Sequence, residues 1–382
     1  MPYWRLSAFY FFYFASLGIL IPYWSLYLES MDYSAMEIGE LMTILMVTKI
    51  FSPYLWAWFS DRFGHIIQIL RLGTFLTALV FFGFFFLDGF WALAFVMALF
   101  SFFWNAVLPQ FEVITLRYLH NQLAIYSQIR LWGSVGFIVA VICLGVGIES
   151  LGIEIILPIL LSLYITLWLV SHLIKEPSLN ISNTANLNIK KLLKNRVVMA
   201  LLMVCFLMQM GHGAYYSFYS ILLSDIGYSK IMIGFLWSLA VIAEIIVFIY
   251  MQSLMKQFNI INLLIFSLFL ALIRWLLIAL FYHSFIFLMI AQLMHAATFG
   301  IFHATAIHLI NEYFSGANQG RGQALYSSIG FGLGGAFGSL LTGYYWDALG
   351  AGIIFIGSAV ISFLALLVAW IFMTKRNDLV LL

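Results

Sequence analysis

Charged residues are scarce in this sequence. Only 8% of the 382 residues are Asp, Glu, Lys or Arg, and 64% are hydrophobic, whereas soluble domains carry about 25% charged residues. A soluble chain of this size must cover its surface with polar groups, so a soluble fold is excluded. The mean hydropathy of +1.06 fits a chain whose solvent is lipid. The net charge of +2 gives no indication of a nucleic-acid partner.

Cysteines and catalytic motifs are also lacking. Cys143 and Cys205 are the only two cysteines, and both lie in apolar stretches. That placement argues against a disulfide framework and against a cysteine-based metal site. No HExxH, G-x-S-x-G or nucleotide-binding P-loop pattern occurs, which disfavours an intramembrane enzyme and an ATP-driven pump. We therefore expect no catalytic residues, no metal and no cofactor.

Long apolar runs fill the chain. A helix needs about 20 apolar residues to cross a bilayer, so these runs predict an all-α membrane protein with twelve transmembrane helices. The first run is too long for the apolar part of a signal peptide and has no small-residue cleavage site, so we expect a retained span. The predicted spans cover residues 4–28, 35–59, 66–87, 90–116, 125–148, 153–173, 197–223, 229–252, 260–281, 284–309, 323–346 and 350–373.

One connection is longer and more polar than the others. Residues 176–195 are rich in Asn and Ser, and we interpret them as a cytoplasmic linker between an N-terminal six-helix bundle (1–175) and a C-terminal one (196–382). With both termini in the cytoplasm, thirteen basic residues fall on that side and Lys230 alone falls on the other, as the positive-inside rule predicts. We expect a monomeric protein of a bacterial inner membrane.

The sequence repeats itself with an offset of 195 residues. This offset aligns Tyr33-Ser34 with Tyr228-Ser229, and Ile38-Gly39 with Ile233-Gly234. Because the offset equals six helices plus the linker, both halves enter the membrane with the same orientation. Such a repeat predicts two pseudo-symmetric bundles, as found in transporters that alternate access around a site near the bilayer midplane.

The loop after the second predicted span carries a recognisable motif. Residues 57–65 read AWFSDRFGH, which resembles the G-x-x-x-D-R-x-G-R/K loop of the major facilitator superfamily. Asp61, Arg62 and Gly64 match that motif, whereas Ala57 and His65 depart from it. The resemblance implies the twelve-helix major facilitator fold and a gating role for this loop.

Several segments are similar to the phenylpropionic acid permease group of that superfamily, which is related to the proton-coupled lactose and nucleoside permeases. The resemblance covers most of the chain and implies a proton-coupled transporter. The segments are IRLWGSV at 129–135, GHGAYY at 211–216, Trp237-Ser238-Leu239 with Glu244, Arg274-Trp275, His295 and His303.

Five charged residues lie well inside the predicted spans. Each costs about 2.5–3.5 kcal/mol to insert, so each is a candidate for function. We expect Glu244 and Glu112 to carry protons, and the three cations to bind a solute. The alternative is that they form ion pairs that only hold helices together. The five are Lys49, Glu112, Arg130, Glu244 and Arg274.

Histidine and aromatic residues supply further candidates. His295 and His303 lie in the tenth predicted span and are candidates for a proton relay. His212 and Tyr216 share one face of the seventh span, and Trp237 shares a face with Glu244 in the eighth. We assign these three to substrate binding. The alternative is that they only pack against neighbouring helices or form structural hydrogen bonds.

These patterns favour a proton-coupled symporter that imports a small organic anion, such as an aromatic carboxylate. Cations outnumber carboxylates in the spans, and co-transported protons offset the charge of the solute. Two alternatives remain open: an efflux antiporter for hydrophobic compounds, and a sugar or nucleoside proton symporter. The expected partners are the solute, protons and the lipid bilayer.

Overall fold

The computed structural model describes residues 2–119, 123–176, 192–314 and 318–374, whose regular structure is entirely helical. Within these residues, eleven helices are long and apolar enough to cross a membrane, which confirms an all-helical membrane fold. Two of the eleven, Phe285–Tyr313 and Gln319–Met373, each contain two α-helical segments. The thirteen segments are α1 Tyr3–Glu29, α2 Ala35–Phe63, α3 Ile66–Phe81, α4 Phe90–Leu119, α5 Leu123–Leu151, α6 Ile156–Ser171, α7 Arg196–Asp225, α8 Lys230–Gln257, α9 Ile260–Phe281, α10 Phe285–His295, α11 Phe302–Tyr313, α12 Gln319–Tyr326 and α13 Gly335–Met373.

Short polar signals set the ends of α2. A capping box starts the helix, because the Ser34 hydroxyl accepts a hydrogen bond from the Glu37 amide, and the Glu37 carboxylate accepts one from the Ser34 amide at 2.9 Å. This arrangement satisfies two amides that the first turn leaves without partners. At the other end, Gly64 adopts the left-handed conformation (φ +72°), which a glycine does without steric cost. Gly64, which matches the loop motif, therefore ends α2.

The last helical stretch contains a break. Gln319–Met373 spans 55 residues, about 80 Å at 1.5 Å per residue, which is more than twice the thickness of a bilayer core. Gly350, with φ +73° and ψ 160°, interrupts the helical conformation within α13. The break lies at the start of the twelfth predicted span.

Two segments are π-helical instead of α-helical. Ala296–Ile301 joins α10 to α11, and Ser327–Gly334 joins α12 to α13. A π-helical turn changes the direction of the side chains that follow it, and such turns are frequent at functional sites. Both segments lie in the C-terminal half of the chain, and the first begins directly after His295.

The 195-residue repeat is visible in the backbone of two equivalent turns. Asp32 and Gly227, which are 195 residues apart, both have positive φ angles, of 63° and 91°. Directly after these turns, Ser34 caps the start of α2, and the Ser229 hydroxyl accepts a hydrogen bond from the Met232 amide at the start of α8. The aligned sequence segments therefore adopt the same local structure.

The described residues form two compact units. The first unit contains the described residues up to 176 together with Tyr216–Ser238, and the second contains those from 192 to 215 and from 239 to 374. The predicted bundles at 1–175 and 196–382 stay a prediction, as does the linker at 176–195, of which residues 177–191 lie outside the described part.

Glycines bring helices close together inside each unit. In the first, Gly136 of α5 packs against the Phe11 carbonyl of α1; in the second, Gly334 packs against the Phe206 carbonyl of α7. Phe11 and Phe206 are separated by the repeat offset of 195. Two positions related by the repeat therefore each meet a glycine, where a side chain would clash with backbone atoms.

Candidate functional site

A buried arginine organises a polar cluster in the second unit. Arg274 of α9 is fully buried, and its Nε donates a hydrogen bond to the Ala291 carbonyl at 2.8 Å. Its Nη1 donates to Thr298 Oγ1 at 3.1 Å and lies 2.9 Å from His295 Nδ1. The guanidinium also lies 4.3 Å from the centre of the Tyr215 ring, a cation–π contact. The planar fork of donors fixes the geometry of this cluster.

His295 connects Arg274 to Glu244. The Nε2 atom of His295 lies 2.9 Å from Glu244 Oε1, and both side chains are largely buried. Arginine only donates, so the His295 Nδ1 that faces Arg274 must accept. A neutral imidazole then carries its proton on Nε2 and donates it to the Glu244 carboxylate. A second proton on His295 would disrupt the bond from Arg274, so an incoming proton is best accommodated on Glu244.

Gln292, His212 and Trp275 complete the cluster. The Tyr215 hydroxyl donates to Gln292 Oε1 at 2.8 Å, and Gln292 is fully buried. The His212 ring lies edge-on to Trp275, with ring centres 4.8 Å apart. The Nδ1 atom of His212 donates to the Met208 carbonyl at 2.8 Å. The structure therefore brings together Glu244, Arg274, His295 and His212, four of the predicted site residues.

His303 belongs to a neighbouring group. Its Nδ1 atom lies 2.8 Å from the Tyr326 hydroxyl. Phe299 stacks on both histidines, with ring centres 5.4 Å from His295 and 5.6 Å from His303. An aromatic ring therefore separates the two predicted relay histidines and cannot itself pass a proton.

In the first unit, Lys49 of α2 lines a small pocket with a cavity volume of about 20 Å³. Trp104 and Tyr216 line the same pocket, and its other walls are aliphatic or Met side chains. The Tyr216 ring is nearly parallel to that of Trp237, with centres 6.5 Å apart. The Trp237 indole donates to Ser220 Oγ at 2.9 Å. Tyr216 thus lines the same pocket as Lys49, and Trp237 packs against Tyr216.

Two of the five charged candidates, Glu112 and Arg130, lie on α4 and α5. Both side chains lie in the described part of the chain, yet they form no ion pair within 4 Å there. The Arg130 guanidinium lies over the Phe14 ring at 3.8 Å and over the Tyr10 ring at 5.6 Å. These contacts with α1 satisfy the cation through aromatic faces.

The motif loop is described in part. The Arg62 guanidinium lies 5.5 Å from the centre of the Trp58 ring, and Gly64 ends α2. The Asp61 side chain lies outside the described part of the structure, so its predicted gating role stays a prediction.

Sequence reasoning missed Gln292, Thr298 and Trp104. The first two are neutral, and neutral polar residues in an apolar span give a weaker signal than charges. Gln292 and Thr298 lie three residues before and three residues after His295 in the sequence. Residues three apart lie on one helix face, so this spacing was the available signal. Trp104 gave no signal among twelve tryptophans.

Comparison with known proteins agrees with this architecture. The MFS_1 like family matches residues 3–357. The chain is 28% identical to a probable 3-phenylpropionic acid transporter of Escherichia coli (strain K12), over 91% of this chain and 92% of that protein. It is 26% identical to a maltose permease of Geobacillus stearothermophilus, over 97% and 94%.

A solved structure shows the same fold. The crystal structure of the nucleoside transporter NupG superposes with a TM-score of 0.83 at 18% identity, covering 97% of this chain and 98% of that chain. The match to the family extends over most of the sequence, and the relatives are transporters. This chain therefore belongs to the MFS_1 like family and is a multi-pass membrane transporter of the major facilitator type.

Proposed function

We propose that this transporter is a proton-coupled symporter that imports a small organic anion, such as an aromatic carboxylate, by alternating access. The observation that carries the proposal is the contact of Glu244 with His295, which is in turn held by Arg274. A carboxylate in this setting exchanges a proton, whereas the adjacent cation has a fixed charge.

The charges of the cluster suggest an order of binding. With Glu244 ionised, its negative charge cancels that of Arg274, and His295 is neutral. When Glu244 takes a proton, the cluster carries a net positive charge and attracts an anion more strongly. Loss of the anion on the opposite side then favours release of the proton. Binding of proton and anion is thereby coupled, as linkage requires.

We further propose twelve spans in two six-helix bundles, with both termini in the cytoplasm of a bacterial inner membrane. The break at Gly350 supports the division of the last helical stretch into two spans. The equivalent turns at Asp32 and Gly227 support the internal repeat. The thirteen-to-one distribution of basic residues supports the orientation.

A sugar or nucleoside proton symporter is the second candidate. Its support is the likeness to a maltose permease and the fold shared with a nucleoside transporter. The carboxylic solute ranks first because Lys49 lies in a mostly apolar pocket, which suits an anion better than a polyhydroxylated solute. The efflux antiporter ranks third, since only the hydrophobicity of the pocket favours it.

The test is uptake into proteoliposomes with an acidic exterior. Labelled 3-phenylpropionate, maltose and uridine are compared by initial rates. Protein-free liposomes measure the passive entry of the weak acid. A saturable, gradient-stimulated rate for the carboxylate above that background is expected. If the gradient stimulates only maltose or uridine uptake, the anion assignment is wrong; if no rate responds to the gradient, proton coupling is wrong.

A further inference from the structure

The pocket beside Lys49 is lined by one cation and otherwise by aliphatic, Met and aromatic side chains. Nine residues line it, none of them acidic and none an amide: Leu17, Leu20, Ile21, Met42, Leu45, Met46, Lys49, Trp104 and Tyr216. All nine belong to the first unit. Its cavity volume of about 20 Å³ has room for about one water molecule, so binding of a solute requires the walls to move apart.

Two of the lining residues carry donors without an acceptor in the described part of the chain. Within the described residues, the Lys49 ammonium group makes no hydrogen bond or ion pair. The indole Nε1 of Trp104 is buried and likewise has no acceptor among the described residues; the residue is only 3% exposed. A buried indole N–H without an acceptor is unfavourable. Both donors would be satisfied by an acceptor that enters with the solute.

The surrounding helices hold these two side chains in place. Thr48, the neighbour of Lys49, donates to Ser101 Oγ at 2.9 Å. Asn105, the neighbour of Trp104, donates to Thr48 Oγ1 at 2.8 Å. The Trp104 ring is stacked on Tyr13, with centres 5.3 Å apart and planes at 10°. These hydrogen bonds join α2 and α4 at this level, so the backbone positions of Lys49 and Trp104 are fixed relative to each other.

The rest of the pocket suits a flat apolar group. Trp104 and Tyr216 offer aromatic surfaces, and Met42 and Met46 offer flexible, polarisable ones. None of these side chains would satisfy several hydroxyl groups of a sugar. A solute with a single anionic end and an aromatic or aliphatic body therefore matches the chemistry of the walls.

We propose that Lys49 and Trp104 form the carboxylate-binding subsite of the transporter, and that the apolar body of the solute packs against Trp104 and Tyr216. The subsite deepens the proposed function and rests on it. Lys49 supplies the charge that favours a carboxylate over a neutral amide, and the indole N–H adds a directed hydrogen bond that is stronger to a charged oxygen. Specificity for monoanions is then set in the first unit.

The test is equilibrium binding, which needs no proton gradient. Purified protein in detergent is titrated with labelled 3-phenylpropionate in a scintillation proximity assay. Unlabelled 3-phenylpropionate, 3-phenylpropanamide and 3-phenylpropylamine serve as competitors with the same body and different charge. We expect the acid to compete at least about tenfold better than the amide, since a hydrogen bond to a charged group contributes about 1.5–3 kcal/mol. The amine should not compete.

Substitutions test whether solute binding depends on Lys49 and Trp104. Lys49→Gln should weaken binding of the acid at least about tenfold, and Lys49→Arg should restore most of it. Trp104→Phe keeps the ring and removes the donor, so it should reduce the preference for the acid over the amide. Two matched controls at exposed positions, Lys256→Gln and Trp91→Phe, should bind like the native protein.

The outcomes separate the subsite from proton coupling. Loss of binding in Lys49→Gln supports the subsite even if uptake by the native protein ignores the pH gradient. Native-like binding in Lys49→Gln overturns it, even if uptake is proton-coupled. Equal competition by the acid and the amide, or no saturable binding of the acid to native protein, also overturns it.

Discussion

The substitution Glu244→Gln removes the proposed proton carrier with little change in shape. In the native protein, the His295 Nε2 group faces Glu244 Oε1 at 2.9 Å. A glutamine oxygen still accepts that hydrogen bond, so only the difference between a charged and a neutral acceptor is lost. That difference is about 1 kcal/mol, and we expect the variant to fold and to unfold at nearly the native temperature.

The effect on transport should be far larger. A gradient of about two pH units supplies about 2.7 kcal/mol per proton, which corresponds to about hundredfold accumulation of solute. Without a titratable group, the variant cannot draw on this energy. We therefore expect the gradient-driven initial uptake of labelled 3-phenylpropionate to fall to the passive rate of protein-free liposomes.

Exchange at equal pH distinguishes coupling from general damage. Solute exchange requires only that the loaded transporter reorients, so Glu244→Gln should retain it. Glu154→Gln, which changes an exposed carboxylate, is the matched control and should behave like the native protein in both assays. Gradient-driven uptake that persists in Glu244→Gln would refute the role of this carboxylate, as would a loss of exchange in a well-folded variant.

Three further substitutions test the packing around the site. Arg274→Lys keeps the charge but loses the planar fork; we expect solute exchange to fail and the free energy of unfolding to fall by about 1–3 kcal/mol, and native-like exchange would contradict this. Gly136→Ala forces a methyl group against the backbone of α1. It should lower the unfolding free energy by about 1–3 kcal/mol, whereas Gly357→Ala, with nothing within 4 Å, should not. Tyr23→Phe removes hydrogen bonds to carbonyls of α5 and α8 and should speed amide hydrogen exchange at the start of α8; unchanged exchange would show that these bonds contribute little.

The sequence predicted the helices well, because twenty-residue apolar runs and polar turns leave few choices for a chain in lipid. The predicted span at 260–281 has the bounds of α9, and most other spans differ from the helices by a few residues. The differences lie at helix ends such as that of α2, which continues to Phe63 because Gly64 is the first residue able to stop it.

Partners of individual side chains were harder to predict. The repeat offset relates Lys49 to Glu244, yet Glu244 contacts His295. That contact depends on how α8 and α10 are rotated about their axes, which periodicity alone does not specify. The π-helical turn after His295 adds a further change of direction that no residue pattern indicated. Charge and burial thus identified the residues, and only the packed helices show their neighbours.

Adjacent residues can belong to different sites for the same reason. Tyr215 donates to Gln292 in the Arg274 cluster, whereas Tyr216 lines the Lys49 pocket. Successive residues of a helix point about 100° apart, so two adjacent tyrosines contact different sets of residues. The contact of Gly136 with the backbone of α1 likewise depends on how α5 is rotated about its axis.

The most direct test of proton–solute symport is the proton movement that the solute itself causes. Proteoliposomes with a trapped pH-sensitive dye and equal pH on both sides receive 3-phenylpropionate outside. Protein-free liposomes and Glu244→Gln proteoliposomes give the passive acidification rate. We expect a faster, saturable acidification with the native protein only. Acidification no faster than in the two controls, for this solute and for a panel of other small carboxylates, would contradict it.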